Sequence, residues 1–205
     1  MTDSEYKILQ DRLAEVMSLP IRHGSHTDDL EKRNHEWCVM EATAYVAGLP
    51  WSDRPVCTCT TLTEFMISWN DSLPCDSDRD RLLRPLIPKL VGTRGSDKLA
   101  KRRSYMALDW LIRVHTPKWL ELVPSLNQHV VSLRTSPEIA DMAGATAAGQ
   151  LVRMAQTDAA AARDAAGAAA WDAAWAAARD KLKPTVDALQ ATVPALIERM
   201  LAATE

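Results

Sequence analysis

The sequence predicts an all-α protein, a helical bundle of about six or seven helices that includes a long alanine-rich C-terminal helix. Three observations support this fold class. Only seven glycines occur in 205 residues, and alternating β-branched residues are scarce. Apolar residues instead recur every three or four positions, as they do on one face of a helix. Between Ala140 and Ala178, 20 of 39 residues are alanine, the residue with the highest helix propensity.

The first half of the chain divides into four predicted helices. The first carries an apolar stripe that includes Tyr6 and Leu9, and the second ends at Gly48-Leu49-Pro50. The third opens with the capping-box pattern Thr61-Leu-Thr-Glu64, and two prolines, Pro85 and Pro88, should kink or shorten the fourth. These helices are predicted over residues 3–18, 28–47, 61–73 and 76–91.

Two further helices precede the alanine-rich region. The fifth is capped by Ser96-Asp97 and should run to His115. The sixth should restart at Pro117, because proline favours the first turn of a helix, and should continue past an interruption at Pro124 to about Leu133.

The composition changes after Pro137, which predicts two parts of the chain. Residues 1–136 should form a helical bundle domain. Residues 137–205 should form the alanine-rich helix and a final amphipathic helix that begins at Pro184. Because an alanine helix buries little apolar area, it should need to pack on the bundle for stability.

The charge, the apolar run lengths and the cysteine content argue against several classes of protein. The formal net charge of −3 and the pI near 6.0 argue against a mainly electrostatic nucleic-acid binder. No apolar run is long enough for a membrane-spanning helix, and the polar start MTDSEYKILQDRL is not expected to be a signal peptide. Four cysteines without an export signal indicate reduced thiols and a cytoplasmic location.

Charged residues within two strongly apolar helices are the first site candidates. Asp109 and Arg113 are four residues apart in the fifth helix and can pair along it. Glu41 has no such partner on the second helix, so we expect a partner from elsewhere, with Arg102, Arg103 or Arg113 as candidates. A structural ion pair is the favoured interpretation, and a polar pocket around Glu41 and Asp109 is the alternative.

The cysteines are candidate metal ligands. Structural zinc takes four nitrogen or sulfur ligands, usually from closely spaced pairs. Cys57 and Cys59 are close together, but Cys38 and Cys75 are 16 or more positions from them, and His35 lies one turn before Cys38. This spacing matches a zinc site poorly. Small buried thiols explain the pattern more simply, so no cofactor is predicted and zinc is kept as the alternative.

A short basic region is the third candidate. Gly92-Thr-Arg94-Gly-Ser96 precedes a predicted helix, where free N–H groups attract anions, but it matches no P-loop or dinucleotide fingerprint. Arg102 and Arg103 add to a basic patch over residues 89–103. Such a patch can meet phosphate or nucleic acid, although most charge runs are solvated helix faces.

Three stretches carry a resemblance to a known family: MEATAYVAGLPWSDRPVC, FMISWNDSLP and RPLIPKLVGTRGSDKLAKRRSYMALDWLIRVHTPKWL. Together with a tail rich in Ala, Trp, Asp and Arg, and a segment like PTVDALQATVPALIERML, they are similar to a family of actinobacterial and actinophage proteins over about residues 35–200. The family pattern has a proline soon after the second cysteine, where this chain has Thr58-Cys59. That extra thiol weakens a zinc site built on Cys59.

The resemblance implies a helical domain plus an alanine-rich helix, and it carries over no catalytic residues. It also points to segments 41–53, 69–71 and 94–113, which set polar residues among aromatics. If the protein has a pocket, we expect it where these three segments meet.

Because no catalytic motif is readable, the leading functional hypothesis is a non-enzymatic interaction protein, phage-encoded and acting on a host protein. Trp171 and Trp175 are one turn apart and could fill a groove of that partner.

Two alternatives stay open. The first is a small-ligand or phosphate-binding domain, with or without enzymatic activity, that uses Glu41, Asp53, Arg94 and Asp109 together with the arginines at 102 and 103. The second is nucleic-acid binding through residues 89–103, with an affinity that falls steeply as salt rises.

Overall fold

The structure, a computed structural model, describes residues 6–27, 36–166 and 182–205. Every regular element within these ranges is helical, which confirms the predicted all-α fold class. The strand-like feature that it contains is an isolated parallel bridge between Ile21 and Trp37. In the same ranges, no helix combines the length and apolarity that crossing a membrane requires.

The helices follow the chain in a simple order. In the first half they are α1 (Gln10–Ser18), α2 (Val39–Val46), α3 (Thr60–Ser72), α4 (Asp76–Leu82) and α5 (Ile87–Leu90). In the second half they are α6 (Asp97–Trp110), α7 (Thr116–Leu120), α8 (Asn127–Thr135), α9 (Met142–Ala166), α10 (residues 182–190) and α11 (Val193–Ala202). Short 3-10 turns at Arg84–Leu86 and Pro124–Leu126 precede α5 and α8.

The chain forms two compact units. The first contains Met1–Lys101 and Met200–Glu205, and the second contains Arg102–Arg199. This division lies within α6, whereas composition suggested one at residues 136–137. Helices α8 and α9 lie on either side of residue 136 and pack against each other, so the change in composition does not coincide with a change of unit.

Helix α2 forms the centre of the first unit. It packs against α1, α3 and α5, and seven of its eight residues are buried, as expected of a helix that is apolar almost all round. It begins later than predicted, at Val39, because Trp37 joins the bridge to Ile21 and Cys38 is the N-cap.

The predicted start of the first helix and the predicted cap of the third helix were wrong. Helix α1 begins at Gln10, and the preceding Leu9 donates its backbone N–H to the Val46 carbonyl, 3.0 Å away. Helix α3 begins at Thr60 with Cys59 as its N-cap and without the predicted capping box, so Thr61 lies inside the helix, where its hydroxyl donates to the Ala100 carbonyl. The effect of Pro85 and Pro88 was predicted correctly, since the chain there breaks into α4, a 3-10 turn and α5.

The predicted break before Pro117 is absent. A π-helical turn, Leu111–His115, joins α6 to α7, and the Thr116 N–H bonds to the Leu111 carbonyl. Proline has no N–H to donate and its ring would clash with the carbonyl four residues earlier. The wider π turn explains how the helix continues through Pro117.

The core of the second unit is built around Ile112, Leu133, Ile139 and Ala148. Partly buried side chains from α6, α7 and the first turns of α9 surround it. The alanine-rich helix is therefore observed up to Ala166, with Ala148 and Ala155 buried at a spacing of seven residues. The rest of its predicted length lies outside the described residues.

Candidate functional site

An extended segment, residues 19–26, crosses the first unit and is held by three carboxylates. Oδ1 of Asp80 accepts the Ile21 N–H at 2.8 Å, and Oδ1 of Asp71 accepts the Gly24 N–H at 2.9 Å. Oε1 of Glu41 accepts the His26 N–H at 2.6 Å. A segment without its own helix or sheet must satisfy its N–H groups elsewhere. Here these three carboxylates accept three of them, and the Trp37 carbonyl accepts the Arg22 N–H at 2.9 Å. We call this segment the strap.

Glu41 lies at the most buried of these contacts, with 1% of its surface exposed. Its Oε2 accepts the Cys38 N–H at 2.7 Å and lies 2.9 Å from Nδ1 of His26. The expected arginine partner is thus replaced, among the described contacts, by a histidine and two backbone N–H groups. The bond to Cys38 is local, because Glu41 is the N3 residue of a capping box with Cys38 as N-cap, whereas the two contacts with His26 come from 15 positions away.

Asn70 and Arg79 form a second buried layer beneath the strap. The Asn70 amide donates to the Arg22 carbonyl and to Oδ1 of Asp71, both at 2.9 Å, while its Oδ1 accepts the Val39 N–H at 3.3 Å. Nε of Arg79 donates to the Asn70 carbonyl at 2.8 Å. These bonds join the strap, α2, α3 and α4 into one polar network.

A cavity of about 90 Å³ opens beside this network. Gly24 and Ser25 of the strap line one side. The rest of its lining consists of the N-cap Cys38, the loop residue Asp53 and, on α3, Ile67, Asn70 and Asp71. The last three share a helix face because they are three and four positions apart.

The cavity brings together parts of two segments that sequence analysis singled out. Asp53 belongs to 41–53, and Asn70 and Asp71 belong to 69–71. The contribution of the strap was missed. Gly24, which has a positive φ of 79°, and Ser25 gave no signal of their own in the sequence.

The ionisation of two groups in the cavity is set by their surroundings. Burial raises the pKa of the Cys38 thiol to about 12, and the neighbouring Glu41 carboxylate adds to this rise. Burial alone would also raise the pKa of Asp71, but hydrogen bonds from Asn70 and Gly24, with the charges of His23 and Arg79, lower it. At neutral pH the cavity therefore holds a neutral thiol and an ionised carboxylate.

The cysteines do not converge in the part of the chain that the structure describes. Cys38, Cys57 and Cys59 are buried, whereas Cys75 is exposed, with its sulfur 3.0 Å from the Ser77 hydroxyl and 3.3 Å from the Asp78 carboxylate. Within the described ranges, no group of three or more His, Cys, Asp or Glu residues could hold a metal ion. His35 lies outside those ranges, so its predicted role in zinc binding stays a prediction.

Thiol labelling should separate these cysteines. With iodoacetamide at pH 8, Cys75 is expected to react at least about tenfold faster than Cys38, which is buried and keeps its proton. Mass spectrometry of the alkylated peptides measures each rate, and the chain unfolded in guanidinium, where all four thiols should react, is the control. Equal rates for Cys38 and Cys75 in the folded protein would contradict this burial.

The ion pair that was predicted between Asp109 and Arg113 is present in the second unit. Nη1 of Arg113 lies 3.1 Å from Oδ1 of Asp109, as their spacing of four residues indicated. The same oxygen accepts the Ile139 N–H at 3.0 Å, so the buried Asp109 also fastens the chain before α9. Because Glu41 belongs to the first unit, a common pocket for Glu41 and Asp109 stays a prediction.

The predicted basic patch is only partly exposed. Arg103 is buried, whereas Arg94 and Arg102 are exposed. Arg94 also donates to the Val56 carbonyl at 3.2 Å, which indicates a structural role for its side chain. The other predicted binding residues, Trp171 and Trp175, lie outside the described residues.

Three exposed apolar residues of the second unit were not anticipated from the sequence. Leu122, Val123 and Val131 are exposed, to 43%, 37% and 54%. Val131 and Arg134 are three positions apart on α8, and Arg134 pairs at 2.5 Å with Glu121, the residue before Leu122. We call these three apolar residues and the ion pair beside them the α8 edge.

Comparisons with protein-family models, with curated proteins and with solved structures found no match to the chain. The resemblance to the actinobacterial and actinophage family therefore stays a prediction.

Proposed function

We propose that the chain is a non-enzymatic helical interaction protein that binds a protein partner through the α8 edge. The observation that carries this proposal is the exposure of Leu122, Val123 and Val131 around the Glu121–Arg134 ion pair. Leu122 and Val123 directly follow Glu121, and Val131 is one turn from Arg134, so exposed apolar residues adjoin both members of the ion pair. Apolar residues beside an ion pair resemble the composition of an interface, whereas single exposed apolar residues are normal on any surface.

The charge of the α8 edge limits which partner surfaces can bind it. Lys118 also lies beside Glu121, at 3.3 Å, so two cations surround one carboxylate. A matching partner surface has an apolar centre and at least one acidic residue at its rim. An amphipathic helix with that pattern is the partner that we propose.

Two further observations agree with this proposal, and the predicted resemblance extends it. The Cys38 thiol lies near the His26–Glu41 pair, but its raised pKa keeps it protonated, which is unsuited to a nucleophile. All four cysteines are free, which fits a reducing, cytoplasmic setting. The resemblance to actinophage proteins extends the proposal to a host protein as the partner.

Photo-crosslinking tests the edge in the cells that naturally contain the protein. A photoreactive residue at position 122 should give one dominant adduct, and the same residue at the exposed Gln150 of α9 should give none. Val131→Glu should remove the adduct formed from position 122, while Ser132→Glu, a matched change at an exposed neighbour, should leave it. Adducts that form equally from position 150, or that survive Val131→Glu, would overturn the proposal.

The alternatives differ in their support. Burial of Arg103 removes one cation from the predicted nucleic-acid surface over 89–103.

The phosphate-binding alternative is also weakened. The cavity of the first unit is lined by two carboxylates, Asp53 and Asp71, which disfavours phosphate. A positively charged ligand matches that cavity better than phosphate does.

A further inference from the structure

The cavity of the first unit is a preformed space with a charge. Asp53 and Asp71 contribute two carboxylates, and no lysine, arginine or histidine is present among its described lining residues. Asp71 is held ionised by hydrogen bonds from Gly24 and Asn70 and by nearby positive charges. Arg54, which is not a lining residue, pairs with Asp53 at 3.0 Å and offsets part of this charge, but the charges that line the cavity itself are negative. The lining therefore favours a positively charged group over an anion.

The distribution of oxygen atoms indicates which kind of cation fits. The bonds from Gly24 and Asn70 both fall on Oδ1 of Asp71, at 2.9 Å each. Asp53 likewise contacts Arg54 through Oδ2, at 3.0 Å. Each carboxylate thus has one oxygen engaged, which disfavours the two-oxygen contact that a guanidinium prefers. An ammonium group, with three donors in different directions, can use single oxygens from separate residues.

The remaining walls indicate what carries that group. Ile67 is apolar, and the Cys38 thiol keeps its proton, so both present uncharged surface to the cavity. A volume of about 90 Å³ leaves room for an ammonium head and part of an aliphatic stem. A bare metal ion is a poorer match, since within the described ranges no group of three or more His, Cys, Asp or Glu residues could hold one.

We propose that this cavity binds a primary ammonium group on an aliphatic stem, as in an alkylamine or a lysine side chain, with Asp53 and Asp71 as its carboxylate partners. The site belongs to the first unit, whereas the α8 edge belongs to the second. The ammonium site goes beyond the proposed function, and either proposal can fail without the other.

Titration of the full chain with n-butylammonium, followed by ¹H–¹⁵N spectra, tests this site. Saturable shifts are expected at the amides of Gly24, Ser25 and Asp71. The neutral isostere n-butanol and the anionic n-pentanoate should not produce them. A lysine-containing peptide with blocked ends is the second probe, and tighter binding of that peptide than of n-butylammonium would identify a protein-borne lysine as the ligand.

Two variants and one control localise the effect. Asp53→Asn and Asp71→Asn should each weaken binding by about tenfold or more, as expected for loss of one charged contact. Asp11→Asn, at an exposed aspartate of α1 in the same unit, should leave it unchanged. Four results would each overturn the proposal. They are no shifts with n-butylammonium, equal shifts with n-butanol, stronger shifts with guanidinium, and shifts that are unaltered in both cavity variants.

Discussion

Replacement of Glu41 by alanine is expected to lower the free energy of unfolding by about 3 kcal/mol, because it leaves buried hydrogen-bond donors without an acceptor. The carboxylate accepts the N–H groups of His26 and Cys38 and contacts the His26 ring. Its loss therefore removes one of the two bonds of the capping box of α2 and one of the three carboxylates that hold the strap. Glu41→Gln keeps one acceptor oxygen and should cost less than alanine, but more than a typical surface change.

Urea unfolding followed by circular dichroism measures the loss at Glu41. Glu64 offers a matched control, since its carboxylate is 61% exposed and pairs with the exposed Arg54. Glu64→Ala should change the free energy by less than about 1 kcal/mol. A Glu41→Ala midpoint equal to that of the unaltered protein would show that the contacts of Glu41 contribute nothing to stability.

Replacement of Arg79 by methionine is the second large effect, again about 3 kcal/mol, because its guanidinium satisfies several buried acceptors at once. Arg79 donates to the carbonyls of Asn70 and Leu73 and pairs with Asp76 at 2.8 Å. Asp76 also pairs with Arg22 of the strap. Loss of the guanidinium would leave those carbonyls unsatisfied between α3 and α4.

Helix α4 contains its own control for Arg79. Arg81 pairs with Asp78 over the same spacing of three residues, but its side chain is 65% exposed, against 5% for Arg79. Arg81→Met should therefore change the stability by less than about 1 kcal/mol in the same urea experiment. Equal effects of the two substitutions would mean that burial of Arg79 does not determine its contribution.

Local features of the fold were predictable from the sequence. The burial of α2 followed from its apolar composition, and the broken helix near Pro85 and Pro88 followed from proline chemistry. The pair between Asp109 and Arg113 followed from their spacing of four residues. Each depends on residues within a few positions of one another, so the backbone geometry of a helix is enough to predict them.

The candidate cavity was predictable only in part. The segments around Asp53 and Asn70 were predicted to line a pocket, because polar residues lie there among aromatics. The strap was not, because residues 19–26 have no periodic pattern and three of their N–H groups bond to side chains that are 15 to 59 positions away. Gly24, for example, bonds to Asp71, 47 positions away.

The sequence by itself determined the helical class of this protein, the burial of α2 and the pairing of charges one turn apart, since these depend on local propensity and on a period of 3.6 residues. Only the tertiary structure decided that Glu41 binds His26 rather than an arginine, that Arg79 is buried while Arg81 is exposed, and that the strap completes a cavity. Those outcomes depend on which distant groups are brought within 3 Å when the core forms, and sequence spacing carries no information about that distance.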